Sequence, residues 1–413
     1  MFLINKINKF LFPFYKDREI KEIFSLLNFD KKNNVMLVGG CVRNFLNNEN
    51  IGDIDLATTL KPEEVIQIFS KTSFKIIKSG IDHGTLTLLK NGKNFEITTL
   101  REDILTDGRH AKVVFGKDWR ADSDRRDFTI NAIYLSPNGK LFDPQGGYKD
   151  LKNSKIKFIG DPENRIKEDY LRILRFLRFV IQYEDLSSDK QVYNIIKKNL
   201  NGIITLSKER VFSELNKIIN SENLITIFKN KDLNEIFKII FPELKYLDRL
   251  KKINKKIYKN IMQSEKDIVL ALLIIDQSNN HNYFAHKYKV SNLLRDNLNF
   301  YHKYFYEYKK NKNFFTIDLK KNIFYHGKNK MKSLAKFCFI RNNKNYNYIQ
   351  KNLKEIENSK IPEFPVNGKY LLDRGFKSGK KIGEVLKKIE LKWIENNFII
   401  KNEDLDKFLK KYN

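Results

Sequence analysis

The glycine pair Gly39-Gly40 and the motif Asp53-Ile54-Asp55 constrain the fold more than any other part of the chain. The apolar run before the two glycines predicts a short buried strand that ends in a turn. The alternation of polar and apolar residues in the second motif predicts another strand, in which Asp53 and Asp55 share one face. The sequence therefore predicts a sheet that carries two adjacent carboxylates.

Two adjacent carboxylates repel each other unless a cation joins them, and Mg²⁺ prefers such oxygen ligands. We therefore expect Asp53 and Asp55 to be catalytic and to bind two Mg²⁺ ions, which suits transfer of a group from a triphosphate. Gly39 and Gly40 have no Cβ, so the backbone there can approach a phosphate and donate N–H bonds to it. Glu96 is the candidate for a third catalytic carboxylate, and the alternative is an exposed strand residue without a role.

The sequence pattern changes near residue 160. Strand and turn patterns fill the first part, whereas apolar residues recur at helical spacing from Asp161-Pro162 onward. A chain of 413 residues is too long for one ordinary core, so several domains are expected. The pattern predicts a mixed α/β head at residues 1–155 and an all-α remainder, which we divide into a helical neck at 156–220 and a body and tail at 221–413.

The net charge of +28, from 78 Lys and Arg against 50 Asp and Glu, favours a polyanionic partner. The alternative is a compositional bias toward Lys, Asn and Ile. The two cysteines, Cys41 and Cys338, stand in no metal-ligand spacing, which argues against structural zinc and a disulfide framework. Signal-peptide features and an apolar run of membrane-spanning length are both missing, so we expect a cytoplasmic protein without a membrane partner.

A series of motifs resembles those of the DNA polymerase β-like nucleotidyltransferases, and in detail those of the class II tRNA nucleotidyltransferases and bacterial poly(A) polymerases. The resemblance implies an α+β head with a mixed sheet and helices, followed by an all-α neck, body and tail. It also implies that Arg43, Asn131 and Arg175 bind nucleotide. The motifs that carry the resemblance are Leu37–Arg43, Gly52–Thr58, Gly80–Thr85, Glu96–Arg101, Asp107–His110, Arg125–Ala132, Asp143–Gly147 and Glu168–Arg175.

The motif Arg125-Arg126-Asp127 offers two cations and one hydrogen-bond acceptor. Arginines can bind phosphates in bidentate fashion. The resemblance implies that Asp127 accepts a hydrogen bond from the ribose 2′-hydroxyl and thereby selects ribonucleotides. The alternative is a surface ion pair at the start of a helix.

Asp169 and Arg172 belong to the helical pattern that follows Pro162, and their spacing predicts that they share one face of that helix. An ionised Asp only accepts hydrogen bonds and an Arg only donates them. Cytosine and adenine each present an amino donor beside a ring-nitrogen acceptor, so one such pair matches both bases, whereas uracil and guanine mismatch it. The resemblance implies that this pair selects CTP and ATP, with Glu168 orienting Arg172. The alternative is a solvated salt bridge.

Two further motifs lie outside this set. Arg210 and Glu214 are four residues apart in a segment that resembles a later motif of the family, and we expect them to pair and brace the neck. His110 lies between the strand with the two aspartates and the Arg-Arg-Asp motif, in a segment that is a mobile loop in the family. The hypothesis for His110 is a polar role within that loop.

The resemblance implies an enzyme that adds C, C and A to the 3′ end of tRNA without a nucleic-acid template and releases pyrophosphate. Alternatives within the family are a poly(A) polymerase and an enzyme that adds only CC or only A. An alternative of a different class is an inactive RNA-binding protein that keeps the fold. The expected partners are tRNA and nucleoside triphosphates, and no protein partner is predicted.

Overall fold

The computed structural model describes residue 14 and residues 16–28, 34–105, 112–185, 189–253, 255–377 and 379–410. The chain divides into two compact units, Met1–Pro242 and Glu243–Asn413. The role considered for His110 falls outside the described residues. No helix within them is both long enough and apolar enough to cross a membrane.

The first unit is built on a mixed sheet and a separate hairpin. Its strands are β1 (Val35–Val38), β2 (Ile54–Thr58), β3 (Lys75–Gly80), β4 (Thr85–Lys90), β5 (Lys93–Thr99), β6 (Arg101–Leu105), β7 (Lys112–Phe115), β8 (Tyr134–Leu135) and β9 (Leu141–Phe142). Seven of the described strands form one sheet in the order β3-β4-β5-β2-β1-β8-β9, and β6 pairs with β7. Since β1 and β2 are antiparallel, the end of β1 and the start of β2 lie at the same edge of the sheet.

Helices pack around this sheet and continue beyond it in the first unit. They are α1 (Arg18–Leu27), α2 (Gly40–Leu46), α3 (Pro62–Phe69), α4 (Trp119–Asp124), α5 (Gly147–Lys152), α6 (Pro162–Glu168), α7 (Leu171–Tyr183), α8 (Lys190–Asn199), α9 (Lys208–Ile219) and α10 (Lys231–Ile240). All four residues of β1 are buried, as expected for its apolar run. The predicted α+β head is confirmed.

The continuous helix predicted after Pro162 is wrong, because the chain breaks between α6 and α7. Asp169 has extended backbone, with φ −153° and ψ 105°. Its Oδ1 accepts a hydrogen bond from the backbone N–H of Leu171 at 3.0 Å. Such a local side-chain bond offers the backbone an alternative to the helical ladder, which the periodicity of apolar residues does not reveal. Asp169 and Arg172 therefore do not share the face of one helix.

The second unit is all-α within its described residues, as predicted for this part of the chain. Helix α12 is buried on every side, whereas α15 is kinked at Gly327, where φ is 78°. The helices are α11 (Lys255–Ser264), α12 (Asp267–Ile274), α13 (Asn280–Lys287), α14 (Asn292–Lys310), α15 (Leu319–Arg341), α16 (Tyr346–Asn358), α17 (Gly368–Leu372), α18 (Lys380–Glu395) and α19 (Asn402–Leu409).

Replacing Gly147 with Ala is expected to lower the free energy of unfolding by about 3 kcal/mol, the upper part of the usual range for overpacking. A Cβ at Gly147 would lie 2.0 Å from the backbone oxygen of Thr129, and neither backbone can yield without moving α5. Gly383→Ala is the control, because a Cβ at this position, near the start of α18, meets nothing within 4 Å. The free energy of unfolding of Gly383→Ala should rise by about 0.5–1 kcal/mol. Denaturant unfolding measures both, and a shift of the same sign in both would contradict the expectation.

Candidate active site

A polar cleft of about 570 Å³ opens in the first unit, at the edge of the sheet where β1 ends and β2 begins. Most residues that the sequence analysis named as site candidates line it together, although they are far apart in the chain. These are Gly39, Gly40, Arg43, Asp53, Asp55, Arg126, Asp127, Asn131, Asp169, Arg172 and Arg175. The cleft lining does not include three other candidates, Glu96, Arg125 and Glu168.

Gly39 lines this cleft beside the carboxylate of Asp55. Its backbone has φ 74° and ψ −132°, a conformation that side-chain-bearing residues rarely adopt. A Cβ at this position would lie 3.7 Å from Oδ2 of Asp55 and 3.8 Å from Nη1 of Arg126. Glycine therefore permits the turn and keeps open the space between a carboxylate and a guanidinium.

The carboxylates of Asp53 and Asp55 both line the cleft, Asp53 just before β2 and Asp55 within it. The parallel partner of Asp55 on β5 is Glu96. Burial raises the pKa of Asp55 to about 6, and the negative charges of Glu96 and Asp53 act in the same direction, while Arg126 opposes them. A cation next to Asp55 would remove this cost, so the site fits a divalent metal ion.

The donors that the structure offers to such an ion are oxygens from two aspartates. Among the described residues, no three His, Cys, Asp or Glu side chains are grouped so that they could hold a metal together. Glu96 is exposed next to Asp55, outside the cleft lining. Two carboxylates suit Mg²⁺, which commonly binds to one or two protein carboxylates and takes its other ligands from water and phosphates.

Asp122, a residue not predicted from the sequence, binds both arginines of the Arg-Arg-Asp motif. This side chain is only 1% exposed and accepts hydrogen bonds from Arg125, Arg126 and the hydroxyl of Tyr134. Burial alone would raise the pKa of Asp122, but the two arginines outweigh it and hold that pKa below its usual value. Arg126 consequently reaches the cleft, whereas the structure does not bring Arg125 into its lining.

Asp122→Ala is expected to destabilise the first unit by about 3 kcal/mol, because it leaves the partly buried Arg126 without its anion. Asp118→Ala is a matched control on the same helix. Asp118 is exposed and caps α4 through the N–H of Arg120, so its loss should cost about 1 kcal/mol. Denaturant unfolding of the two variants distinguishes them, and equal losses would argue against a central role of Asp122.

Asp127 is buried, and both of its oxygens are engaged. Oδ1 accepts from the N–H of Phe128 at 2.8 Å and from Nδ2 of Asn131 at 3.0 Å, while Oδ2 pairs with Nε of Arg175 at 2.7 Å. Burial disfavours the charge, but Arg175 and these hydrogen bonds keep the pKa of Asp127 below its usual value. The carboxylate is thus ionised and held as an acceptor at the cleft wall.

Asn131 links Asp127 to a second guanidinium. Its Oδ1 accepts a hydrogen bond from Arg43, which is buried and also donates to Asn44 at 2.9 Å. The Arg43 guanidinium stacks over the ring of Phe179, 4.9 Å from its centroid. These contacts fix Arg43, Asn131 and Asp127 in one network along the cleft.

Asp169 and Arg172 both line the cleft, and each is held by a different partner. Nη1 of Arg172 donates to Glu168 and to the backbone oxygen of Arg165, the latter at 2.8 Å. Oδ2 of Asp169 accepts from Arg210 at 2.7 Å. The ion pair between Glu168 and Arg172 is the contact that an orienting role of Glu168 requires.

The expected pairing of Arg210 with Glu214 is wrong. Arg210 binds Asp169, and Glu214 instead binds Arg178 at 2.7 Å and Lys217 at 3.0 Å. The cause is the break before α7, which brings Asp169 within reach of α9. Four residues of the cleft lining were not predicted from the sequence, namely Asn44, Gly52, Arg178 and Lys217.

One of these omissions had a signal in the sequence. Arg172, Arg175 and Arg178 are spaced three residues apart on α7, so they form a row along one side of that helix. Arg178 is the third guanidinium of this row and the fifth in the cleft lining. Six cations and four carboxylates line the described cleft, and these are Arg43, Arg126, Arg172, Arg175, Arg178 and Lys217 against Asp53, Asp55, Asp127 and Asp169.

Comparisons with known proteins agree with this arrangement. Residues 35–157 match the family described as the Poly A polymerase head domain, and residues 185–247 match the probable RNA and SrmB-binding site of polymerase A. The chain is 31% identical over 411 residues to the mitochondrial CCA tRNA nucleotidyltransferase 1 of Mus musculus, covering 95% of this chain and 89% of that protein. It is 32% identical over 389 residues to the CCA-adding enzyme of Staphylococcus haemolyticus, covering 90% and 92%.

The fold also matches a solved structure over most of its length. The crystal structure of the Bacillus stearothermophilus CCA-adding enzyme in complex with CTP aligns with a TM-score of 0.70 at 24% sequence identity. The alignment covers 92% of this chain and 94% of that one.

Proposed function

Since this chain belongs to the family of the CCA-adding enzymes, the CCA tRNA nucleotidyltransferases, we propose that it adds C, C and A to the 3′ end of tRNA. The substrates are CTP and ATP, and pyrophosphate is released at each step. One observation carries the proposal. A single cleft joins the carboxylates of Asp53 and Asp55 to the acceptor Asp169 and the donor Arg172.

The reaction joins the terminal 3′-hydroxyl oxygen of the RNA to the α-phosphorus of the nucleotide, with loss of the hydroxyl proton. The bond from that phosphorus to the pyrophosphate oxygen breaks, and pyrophosphate leaves. Asp53 and Asp55 would hold Mg²⁺, which when bound supplies positive charge to the attacking and leaving oxygens. Gly39 leaves room for the triphosphate beside Asp55. The cationic side chains of Arg126, Arg178 and Lys217 offset its negative charge.

Different residues of the cleft are proposed to select the sugar and the base. Asp127, kept ionised by Arg175 and Asn131, is proposed to accept a hydrogen bond from the ribose 2′-hydroxyl. Asp169 is proposed to accept from the amino group of cytosine or adenine, and Arg172 to donate to the adjacent ring nitrogen. An unsatisfied polar group in a closed site costs about 1–3 kcal/mol, so uracil and guanine are disfavoured by one to two orders of magnitude per mismatch.

The rest of the chain is proposed to bind the tRNA. The net charge of +28 favours a polyanion, and the match to an RNA-binding family at residues 185–247 supports this assignment. We assign the head to residues 1–155, the neck to 156–220 and the body and tail to 221–413. A cytoplasmic location stays a prediction.

The proposed activity is tested with tRNA that lacks its 3′ CCA, Mg²⁺ and each labelled nucleotide in turn. Incorporation of two C and one A, followed by arrest, is the expected result, and tRNA that already ends in CCA should not be extended. Long A tails would instead identify a poly(A) polymerase, and addition of only CC or only A a partial enzyme. Retention of tRNA without incorporation of any nucleotide would identify an inactive RNA-binding protein.

A further inference from the structure

The break between α6 and α7, which places Asp169 in the cleft, is packed against a glycine on another element. Gly202 lies in a 3₁₀ turn, Leu200–Thr205, that precedes α9. A Cβ at Gly202 would lie 2.0 Å from Cε1, 2.1 Å from Cδ1 and 2.3 Å from Cζ of Tyr170. The aromatic ring therefore rests directly on the backbone of Gly202, and any side chain there would displace it.

Tyr170 is the N-cap residue of α7. Its backbone has φ −60° and ψ −15°, whereas that of the preceding Asp169 is extended. The ring is thus anchored at the point where the chain changes direction. Displacing the ring requires either a new side-chain rotamer or a shift of the backbone at Tyr170, to which Asp169 is joined by a peptide bond.

The same part of the chain makes a second contact with the break. Arg210, in the first turn of α9, donates to Oδ2 of Asp169 at 2.7 Å. The side chain of Ser207 caps α9 by accepting from the N–H of Arg210. Within residues 202–210, Gly202 therefore holds Tyr170 by packing and Arg210 holds Asp169 by charge.

Asp169 itself has little freedom left once these contacts form. Its Oδ1 accepts from the N–H of Leu171 at 3.0 Å, and its Oδ2 accepts from Arg210. The direction of its remaining lone pairs toward the cleft follows from the geometry of the break. Misplacement by about 1 Å is enough to weaken a selective hydrogen bond severely.

We propose that Gly202 is a positioning residue for base selection. Its missing side chain lets Tyr170 seat against the turn, and this seating aims Asp169 at the amino group of cytosine or adenine. Gly202 is not part of the cleft lining and acts only through Tyr170. The inference rests on the proposed role of Asp169 and Arg172 as the base-selecting pair.

The test compares Gly202→Ala with the wild type in single-nucleotide addition to tRNA that lacks its 3′ CCA. We expect the ratio of kcat/KM for CTP to that for UTP to fall at least about tenfold, mainly through a higher KM for CTP. Gly383→Ala, a glycine replacement in open space on α18, should leave that ratio unchanged. A loss of folding alone would lower active enzyme without changing the ratio, so the ratio separates positioning from stability.

A double variant tests the route through Tyr170. In Tyr170→Ala the ring is absent, so adding Gly202→Ala should change the CTP to UTP ratio by less than about twofold. A wild-type ratio in folded Gly202→Ala, or the same loss with and without the ring, would overturn the inference. If Gly202→Ala does not fold, Tyr170→Ala carries the test, and wild-type base choice in it would overturn the inference too.

A further variant separates this inference from the proposed function. Asp169→Asn exchanges an acceptor for a group that can also donate, and it should relax base choice directly. If Asp169→Asn keeps the wild-type ratio, the base-selecting role of Asp169 is wrong and the proposed function fails at that point. If Asp169→Asn relaxes the ratio and Gly202→Ala does not, only the positioning role of Gly202 is wrong.

Discussion

Asp53→Ala and Asp55→Ala are each expected to reduce the rate of nucleotide addition by at least about a thousandfold. This loss corresponds to ~4 kcal/mol of transition-state stabilisation. Both side chains line the cleft, and the described residues offer no larger group of metal-ligating side chains. Loss of either carboxylate therefore leaves the triphosphate with an incomplete metal site. Rates of C addition and tRNA affinity are measured together, and the affinity should change little.

Glu63→Gln serves as the matched control for these two variants. Glu63 is an exposed carboxylate in the first turn of α3, and its replacement removes the same charge from the same unit. It should keep wild-type rates. Turnover near the wild-type value in Asp53→Ala or Asp55→Ala would show that the two aspartates do not hold the metal.

Asp55→Asn adds a readout that does not depend on activity. Because the pKa of Asp55 is raised to about 6 in the folded state, its charge destabilises the metal-free protein at neutral pH, and this penalty fades as the pH falls through 6. Asp55→Asn should therefore melt at a higher temperature than the wild type at pH 7.5, and the difference should shrink by pH 5. Mg²⁺ should raise the melting temperature of the wild type more than that of the variant.

Arg172→Ala is expected to lower discrimination between CTP and UTP by about ten- to a hundredfold, the equivalent of ~1–3 kcal/mol. Arg172 is positioned by Glu168 and the backbone of Arg165, so its guanidinium reaches the cleft in one orientation. Its removal takes away the donor that distinguishes the ring nitrogen of cytosine from the N–H of uracil. Single-nucleotide kinetics with CTP, ATP, UTP and GTP measure the effect, which should exceed the loss of rate with CTP.

Lys167→Ala controls for loss of positive charge close to Arg172. Lys167 is 55% exposed on α6 and pairs with Glu163 rather than with the cleft. Base choice in this variant should match the wild type. Unchanged preference for CTP and ATP in Arg172→Ala would remove the base-selecting role, and altered preference in Lys167→Ala would point to a general electrostatic effect.

The fold of the head could be predicted from local patterns. The apolar run of β1, the glycine turn and the alternation around Asp55 act over a few residues, and short-range sterics fix what they form. The candidate residues that meet in the cleft were also predicted, although largely through the resemblance of their motifs to a family. Their separation in the chain is too large for spacing alone to bring Gly39, Asp127 and Arg172 together.

The ion-pair partners of two arginines were not predicted, one of them a near neighbour in the sequence and the other a distant residue. Arg125 was expected at the nucleotide, but it pairs with Asp122, which lies three residues earlier at a spacing that allows an ion pair. Arg210 was expected to pair four residues along its own helix, but it reaches Asp169 across a distance of 41 residues in sequence. In both cases several partners are sterically open to a long cationic side chain, and for Arg210 the packing of neighbouring elements decides among them.

The sequence by itself determined the chemical groups of this protein and the strands that carry them, since residue type and short-range periodicity are local properties. The tertiary structure decided that Arg210 binds Asp169, that Arg178 binds Glu214, and where the helix breaks before Arg172. It also decided that Tyr170 requires a glycine at position 202. These outcomes follow from close packing between elements, where a contact forms only if both backbones leave room for it.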